Sequence, residues 1–310
     1  MTLVPIRIAT RKSALALWQA EHVAALLRAL QPGISVELVP MTTEGDRNLG
    51  ASLAASGGKG LFVKELEVAL AEGRADLAVH SMKDVPVELP PEFVIGAVLE
   101  REDARDAFVS MRHQDFAALP QGARVGSSSL RRQSQLLHLR PDLHIEALRG
   151  NVDTRIRKLE DGQYDAIVLA VAGLKRLGLA HKITRPLGLD VCLPSITQGV
   201  IGIECRAADG ANRALLTRLN HVPTWTCVLA ERALSTGLSG SCNLPLAGHA
   251  ALDGAMLSMR GRVGSPDGRR LLDAAISGQA KDAETLGLCL AQDLLAKGAG
   301  EVLRDVQKKI

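Results

Sequence analysis

Four segments of this chain place a cation beside small or capping residues just where an apolar run ends. They are Thr10-Arg11-Lys12-Ser13, Gly57-Gly58-Lys59-Gly60, Gly126-Ser127-Ser128-Ser129-Leu130-Arg131-Arg132 and Leu148-Arg149-Gly150-Asn151. A helix start already exposes unpaired N–H groups and the positive end of a dipole, so it favours anions. Arginines gathered at such starts are costly unless an anion joins them. In an open α/β sheet these junctions collect along one edge, where ligands bind. The pattern predicts one large polyanionic ligand held in a cleft by guanidinium forks, which match carboxylate or phosphate geometry. On a helix over Val152–Glu160 the apolar face is Val152, Ile156 and Leu159. Arg155 falls on the flank of that face, while Arg157 and Lys158 point away. Arg155 alone reads equally well as half of a structural ion pair. Arg131, Arg132, Arg149 and Arg155 together read as ligand-binding, because one segment supplies few acids to pair with them; Arg11 and Arg176 could extend the set.

One junction carries an acid. His80-Ser81-Met82-Lys83-Asp84-Val85-Pro86 follows a short apolar run, and Asp84 can be read in two ways. It is either a turn ion pair with Lys83 or a carboxylate facing the same cleft as the arginines. In the second case the carboxylate is costly unless it stabilises a cation formed there, which suggests a reaction through a positively charged intermediate. His80 reads as a structural histidine. Of the five cysteines, Cys192, Cys205, Cys227 and Cys289 read as small buried apolar residues. Cys242 differs, because Gly237-Leu238-Ser239-Gly240-Ser241-Cys242-Asn243 is a flexible polar loop, and a thiol on such a loop is a candidate covalent attachment point. No C-x-x-C pair occurs and the spacing fits neither a zinc site nor a disulfide frame, so no metal is expected. Gly57–Gly60 lacks the spacing of a phosphate loop and reads as a glycine-rich lid or connector.

The elements that must position these residues alternate. Strands are expected at Ile6–Ala9, Ser35–Met41, Asp76–His80 and Phe93–Leu99, with helices at Ser13–Leu30 and Leu61–Ala71. The alternation repeats from Arg124 to Leu177, and Glu100–Asp106 reads as a charged hinge. Such alternation indicates a parallel or mixed sheet covered by helices. Val200–Cys205 returns to a strand that could complete the first unit. From His221 the pattern changes to one helix, short strands and a last helix over Ala283–Ala296, a small α+β domain. Net charge is only +3, so the basic clusters are local, and aromatics are 2% of residues, which argues against single-strand nucleic-acid binding. No run approaches the ~20 apolar residues of a membrane span. Met1-Thr2-Leu3-Val4-Pro5 lacks the layout of a signal peptide, so the cytoplasm is the expected compartment.

The residues also carry a resemblance. Arg7-Ile8-Ala9-Thr10-Arg11-Lys12-Ser13, Gly58-Lys59-Gly60-Leu61-Phe62-Val63-Lys64-Glu65-Leu66-Glu67 and Ala78-Val79-His80-Ser81-Met82-Lys83-Asp84-Val85-Pro86 resemble the porphobilinogen deaminase family. So do Ser128-Ser129-Leu130-Arg131-Arg132-Gln133, Leu148-Arg149-Gly150-Asn151-Val152, Ala170-Val171-Ala172-Gly173-Leu174-Lys175-Arg176-Leu177, Gln198-Gly199, Gly202-Ile203-Glu204-Cys205-Arg206 and Ala230-Glu231-Arg232-Ala233. The resemblance spans nearly the whole chain. It implies two α/β domains flanking a cleft, like bilobal binding proteins, plus a small α+β C-terminal domain. These correspond to 1–99 with 200–219, to 105–193 and to 221–310. It implies head-to-tail condensation of four porphobilinogen molecules into linear hydroxymethylbilane with loss of four ammonia molecules. The primer is dipyrromethane, joined by a thioether to the cysteine matching Cys242. Asp84 matches the catalytic aspartate. Lys83, Ser13, Asp46, Ser81, Ser127, Ser129, Arg131, Arg132, Arg149 and Gly150 match cofactor-binding positions, and Arg11, Arg149, Arg155, Arg176 and Gln198 substrate-binding ones. A monomer acting on a small-molecule substrate, without nucleic acid or membrane, is expected.

Three places depart from the family pattern. Ser241 stands where a glycine commonly precedes the cysteine, Asp153 where a small residue is common, and Ser195-Ile196-Thr197 precedes Gln198. The rival reading is a bilobal anion-binding protein without chemistry. Asp84 and a loop-borne Cys242 discriminate, since a passive receptor needs neither.

Overall fold

The structure is a computed structural model that describes residues 5–47, 62–238 and 244–308. Among these, the strands in chain order are β1 (Ile6–Arg11), β2 (Val36–Met41), β3 (Leu77–Ser81), β4 (Phe93–Val98), β5 (Asp106–Val109), β6 (Arg124–Gly126), β7 (His144–Glu146), β8 (Ala166–Ala170), β9 (Arg185–Pro186), β10 (Ile201–Arg206), β11 (Leu246–Asp253), β12 (Met256–Gly264) and β13 (Leu271–Gln279). The chain divides into two compact units, Met1–Arg101 with Val200–Trp225, and Glu102–Gly199 with Thr226–Ile310.

The first unit is built on a five-stranded sheet of order β2-β1-β3-β10-β4. β1 is parallel to β2 and β3, while β10 enters antiparallel between β3 and β4. Strands buried on both faces read as continuous apolar runs, because consecutive side chains serve opposite layers. Ile8 of β1 joins Val23, Leu27, Leu77 and Ile203 on one face, and its neighbour Ala9 joins Leu66, Leu70 and Phe93 on the other. The helix Ala14–Leu30 starts at Ser13, whose hydroxyl accepts from the Ala16 amide, and it buries Ala16, Ala20, Val23, Ala24 and Leu27.

The second unit repeats this plan in the order β7-β6-β8-β5-β9, with β6 parallel to β7 and β8 and β5 antiparallel between β8 and β9. The same unit holds the antiparallel sheet β11-β12-β13. Its core gathers Leu234, Leu246, Leu257, Met259, Leu290, Leu294, Val302 and Val306. Two helices cover it, Ala283–Ala296 and Ala299–Gln307. The second lies beyond the last helix expected from the sequence, which ends at Ala296. Gly298, at φ 97, breaks the chain only for one residue, and burial of Val302, Leu303 and Val306 outweighs the weak local propensity. The one helix expected after His221 runs over Val222–Gly237.

Candidate active site

Parallel pairing sets which residues share an edge. The carboxyl ends of β1, β2 and β3 lie together, and there the first unit places Arg11, Ser13, Asp46, Ser81, Lys83 and Asp84. A short 3-10 turn, Met82–Asp84, follows β3. Met82 and Val85 are buried on either side of Lys83 and Asp84, which stay half-exposed. Met82 fills the space over Gly202 that a Cβ would need, and its amide donates to the Val200 carbonyl at 3.0 Å. Two apolar anchors thus present the acid. His80 is structural in its setting: it is buried, with Nε2 2.7 Å from the Glu204 carboxylate.

Arg11 is held by two contacts. Nε donates to Asp46 Oδ2 at 3.2 Å and Nη2 donates to Oδ1, while the guanidinium lies 4.1 Å from the centre of the Phe62 ring. Phe62 packs where any side chain at Gly45 would stand. Burial works against ionisation of Asp46, but hydrogen bonds from Arg11 and Thr43 outweigh it and hold the carboxyl below its ordinary range. Asp46 therefore reaches the site through Arg11. Ser81 exchanges hydrogen bonds with Gln19 at 2.9 and 3.3 Å.

In the second unit the carboxyl ends of β6, β7 and β8 carry Ser127, Ser129, Arg131, Arg132, Arg149, Gly150, Arg155 and Arg176 on one edge. Ser129 caps the helix Leu130–Leu139 through the Arg132 amide, and Asn151 caps Val152–Glu160 through the Thr154 amide. Ser127, buried, accepts from the Ser129 amide at 3.2 Å. Gly150 takes φ 113 and its carbonyl accepts from Arg155 Nε at 2.7 Å. Arg155 is half-buried and Arg157 exposed, as the helical spacing requires. Lys158, expected to point away, instead donates to the Arg149 carbonyl at 3.3 Å. Arg176 donates to the Gly199 carbonyl at 2.6 Å, and burial pushes its pKa down to about 10. Asp153 is exposed in a first helical turn, where a negative charge suits the helix dipole.

The expectation that the arginines lack acids is corrected for Arg131 and Arg132. Both are buried on Asp106, at 2.8 and 2.7 Å. Asp106, the last residue of the expected charged hinge Glu100–Asp106, instead opens β5 and is fully buried. Gln198 Nε2 donates to it at 2.9 Å and the Cys192 thiol at 3.3 Å. Gln198 also donates to the Ala104 carbonyl at 2.7 Å, so its amide serves this cluster. Burial alone would raise the Asp106 carboxyl; the charges of Arg131 and Arg132 overcome it and hold the pKa far below the ordinary value. Burial, then the Asp106 charge, push the Cys192 thiol up to about 12, so it stays protonated and donates. Sequence reasoning missed Asp106 and Cys192. The one local signal was an acid leading directly into the apolar run Ala107-Phe108-Val109. Cys289, expected to be buried, is half-buried. Cys242, Ser241 and Gly57–Gly60 lie outside the described residues.

Two family models cover this chain. Residues 6–214 match that of the porphobilinogen deaminase dipyromethane cofactor binding domain, and residues 225–296 match that of the porphobilinogen deaminase C-terminal domain. The chain belongs to the porphobilinogen deaminase family. It is a transferase of tetrapyrrole biosynthesis that forms hydroxymethylbilane from porphobilinogen, and 6–214 is its dipyrromethane-binding region. The reading as a passive anion receptor is thereby set aside. Similar solved structures include a periplasmic substrate-binding protein of an ABC transporter from Coxiella burnetii, at 16% identity over 73% of this chain and 94% of that one, with a TM-score of 0.44. The periplasmic VFT2 domain of Bordetella pertussis BvgS is 16% identical over 69% and 86%, with a TM-score of 0.41. No helix among the described residues is long and apolar enough to cross a membrane.

The buried cluster suits the family's anionic cofactor. One carboxylate, Asp106, faces two guanidiniums, which leaves one positive charge over. Arg132 Nε is buried and has no hydrogen-bond partner among the described residues. A buried cation in excess is stable only with a further anion, and a carboxylate-bearing pyrrole chain has the charge to match it.

Proposed function

We propose that Asp84 is the catalytic carboxylate, and that its half-exposed position between the buried anchors Met82 and Val85 is the observation that supports this most directly. Its charge stabilises the cation formed at the substrate's methylene carbon when ammonia departs, and it steadies the N–H of the attacking pyrrole. Arg131, Arg132, Lys83 and Arg149 hold cofactor carboxylates, with Ser13, Ser81, Ser127, Ser129 and Gly150 shaping the backbone around them. Arg11, Arg149, Arg155 and Arg176 take the carboxylates of the growing chain. Asp46 acts through Arg11 and Gln198 through Asp106. When bound, dipyrromethane supplies the pyrrole carbon from which the chain is extended. We place its thioether on Cys242. The protein is further read as a cytoplasmic monomer.

Intact mass tests the attachment. Protein isolated under non-reducing and denaturing conditions should exceed its sequence mass by one dipyrromethane, and Cys242→Ala should match the sequence mass. An adduct surviving in Cys242→Ala would place the bond elsewhere.

Arg149 and Arg157 form a controlled pair for the carboxylate contacts. Loss of a charge-assisted hydrogen bond costs roughly 1.5–3 kcal/mol, so Arg149→Leu should lower kcat/KM by about 10- to 150-fold. Arg157 is exposed, and Arg157→Leu should stay within about twofold of the parent. Equal losses at the two positions would count against this assignment.

A further inference from the structure

Thr197 is the one described non-glycine residue with a positive φ, 58°. A β-branched residue is strained in that left-handed region, and such strain persists only where surrounding groups over-determine it. Here the surroundings are specific. Glu231, on the helix Val222–Gly237, is fully buried; its Oε2 accepts from the Thr197 amide at 2.6 Å and its Oε1 from the Ala250 amide of β11 at 2.7 Å. The Pro194 carbonyl accepts from the Gly248 amide at 3.0 Å, and Ile196 occupies the space that a side chain at Gly248 would fill. The segment 194–197 is therefore stitched to β11 at several points.

The residues that follow lead to the arginines. Gln198 donates to Asp106, which holds Arg131 and Arg132. Gly199, at φ 90, offers its carbonyl to Arg176. A change of one dihedral at Thr197 would swing both Gln198 and the Gly199 carbonyl away from these partners. We propose that Glu231 is a positioning residue for pyrrole-carboxylate binding, holding Thr197 in its left-handed conformation so that Gln198 and Gly199 aim Arg131, Arg132 and Arg176. This rests on the reading of those arginines as carboxylate-binding. It gives a task to the Ala230-Glu231-Arg232-Ala233 motif and a reason for the unusual Thr197.

The test uses the full-length, cofactor-loaded protein. Glu231→Gln removes one of two acceptors. It should raise the KM for porphobilinogen about tenfold with kcat within about threefold, the signature of lost binding. Hydrogen exchange at the amides of 195–199 should quicken alongside. Glycine adopts the left-handed region without strain, so Thr197→Gly alone should leave KM within about twofold of the parent. Combined with Glu231→Gln, it should recover most of the lost affinity. A double variant as weak as Glu231→Gln, or an unchanged KM in Glu231→Gln, overturns the proposal. If Glu231→Gln does not fold, Thr197→Pro decides instead. Proline cannot take a positive φ, while Glu231 keeps Ala250, so the same KM defect should appear and a normal KM overturns the proposal. A parent protein that makes no hydroxymethylbilane would sink the functional reading, while the exchange rates at 195–199 would still judge the turn.

Discussion

Asp84→Asn should lower the rate of ammonia release about a thousandfold. A carboxylate about 4 Å from a developing cation contributes on the order of 4 kcal/mol at an effective dielectric of about 20. That energy corresponds to roughly three decades of rate. Asparagine keeps the shape and removes the charge, so it should match Asp84→Ala. Asp84→Glu keeps the charge one methylene away and should retain part of the activity. All three should remain folded, because Met82 and Val85, both buried, fix the turn, and Asp84 itself is half-exposed. Substitutions at such positions shift stability by about 0.5 kcal/mol or less. The measurement is single-turnover ammonia release by each variant, reconstituted with preformed hydroxymethylbilane so that cofactor assembly does not limit the rate. An asparagine variant as fast as the parent would make Asp84 a turn residue only.

Asp106→Asn should be the most destabilising single exchange considered. It leaves Arg131 and Arg132, 5% and 8% exposed at the side chain, without a countercharge. Breaking a buried ion pair from one side costs about 3–5 kcal/mol. The folded-state pKa of Asp106 is depressed, so its contribution is fully present above the ordinary carboxylate pKa of about 4 and fades as pH falls below that value. Urea unfolding of the parent and Asp106→Asn should therefore differ by a constant amount from pH 8 to about pH 5, and the gap should narrow in stronger acid. A gap that widens on acidification would contradict the assigned charge states. Arg131→Leu leaves Asp106 paired with Arg132, so it should destabilise less than Asp106→Asn.

The two kinds of arginine show where sequence reading stops. Helix starts were legible because capping is local: Ser13, Ser129 and Asn151 each lie within three residues of the amide they satisfy. The alternation of strand and helix was legible because each buried strand is a continuous apolar run. The junctions of β1 and β3, and those of β6, β7 and β8, share edges because parallel strands end on the same side. The resemblance points to Asp84 and Cys242 as candidates without any fold. Asp106 was not legible. Its partners lie 25, 26 and 92 residues along the chain, and only the antiparallel entry of β5 beside β8 brings it to the arginine edge. Asp46 likewise meets Arg11 across 35 residues. The left-handed Thr197 is set by a buried carboxylate on a distant helix, against its own β-branched preference. Composition and periodicity encode burial and local hydrogen bonds, which depend on near neighbours. Which buried charge meets which depends on strand order and register, and those are decided only when the sheets assemble.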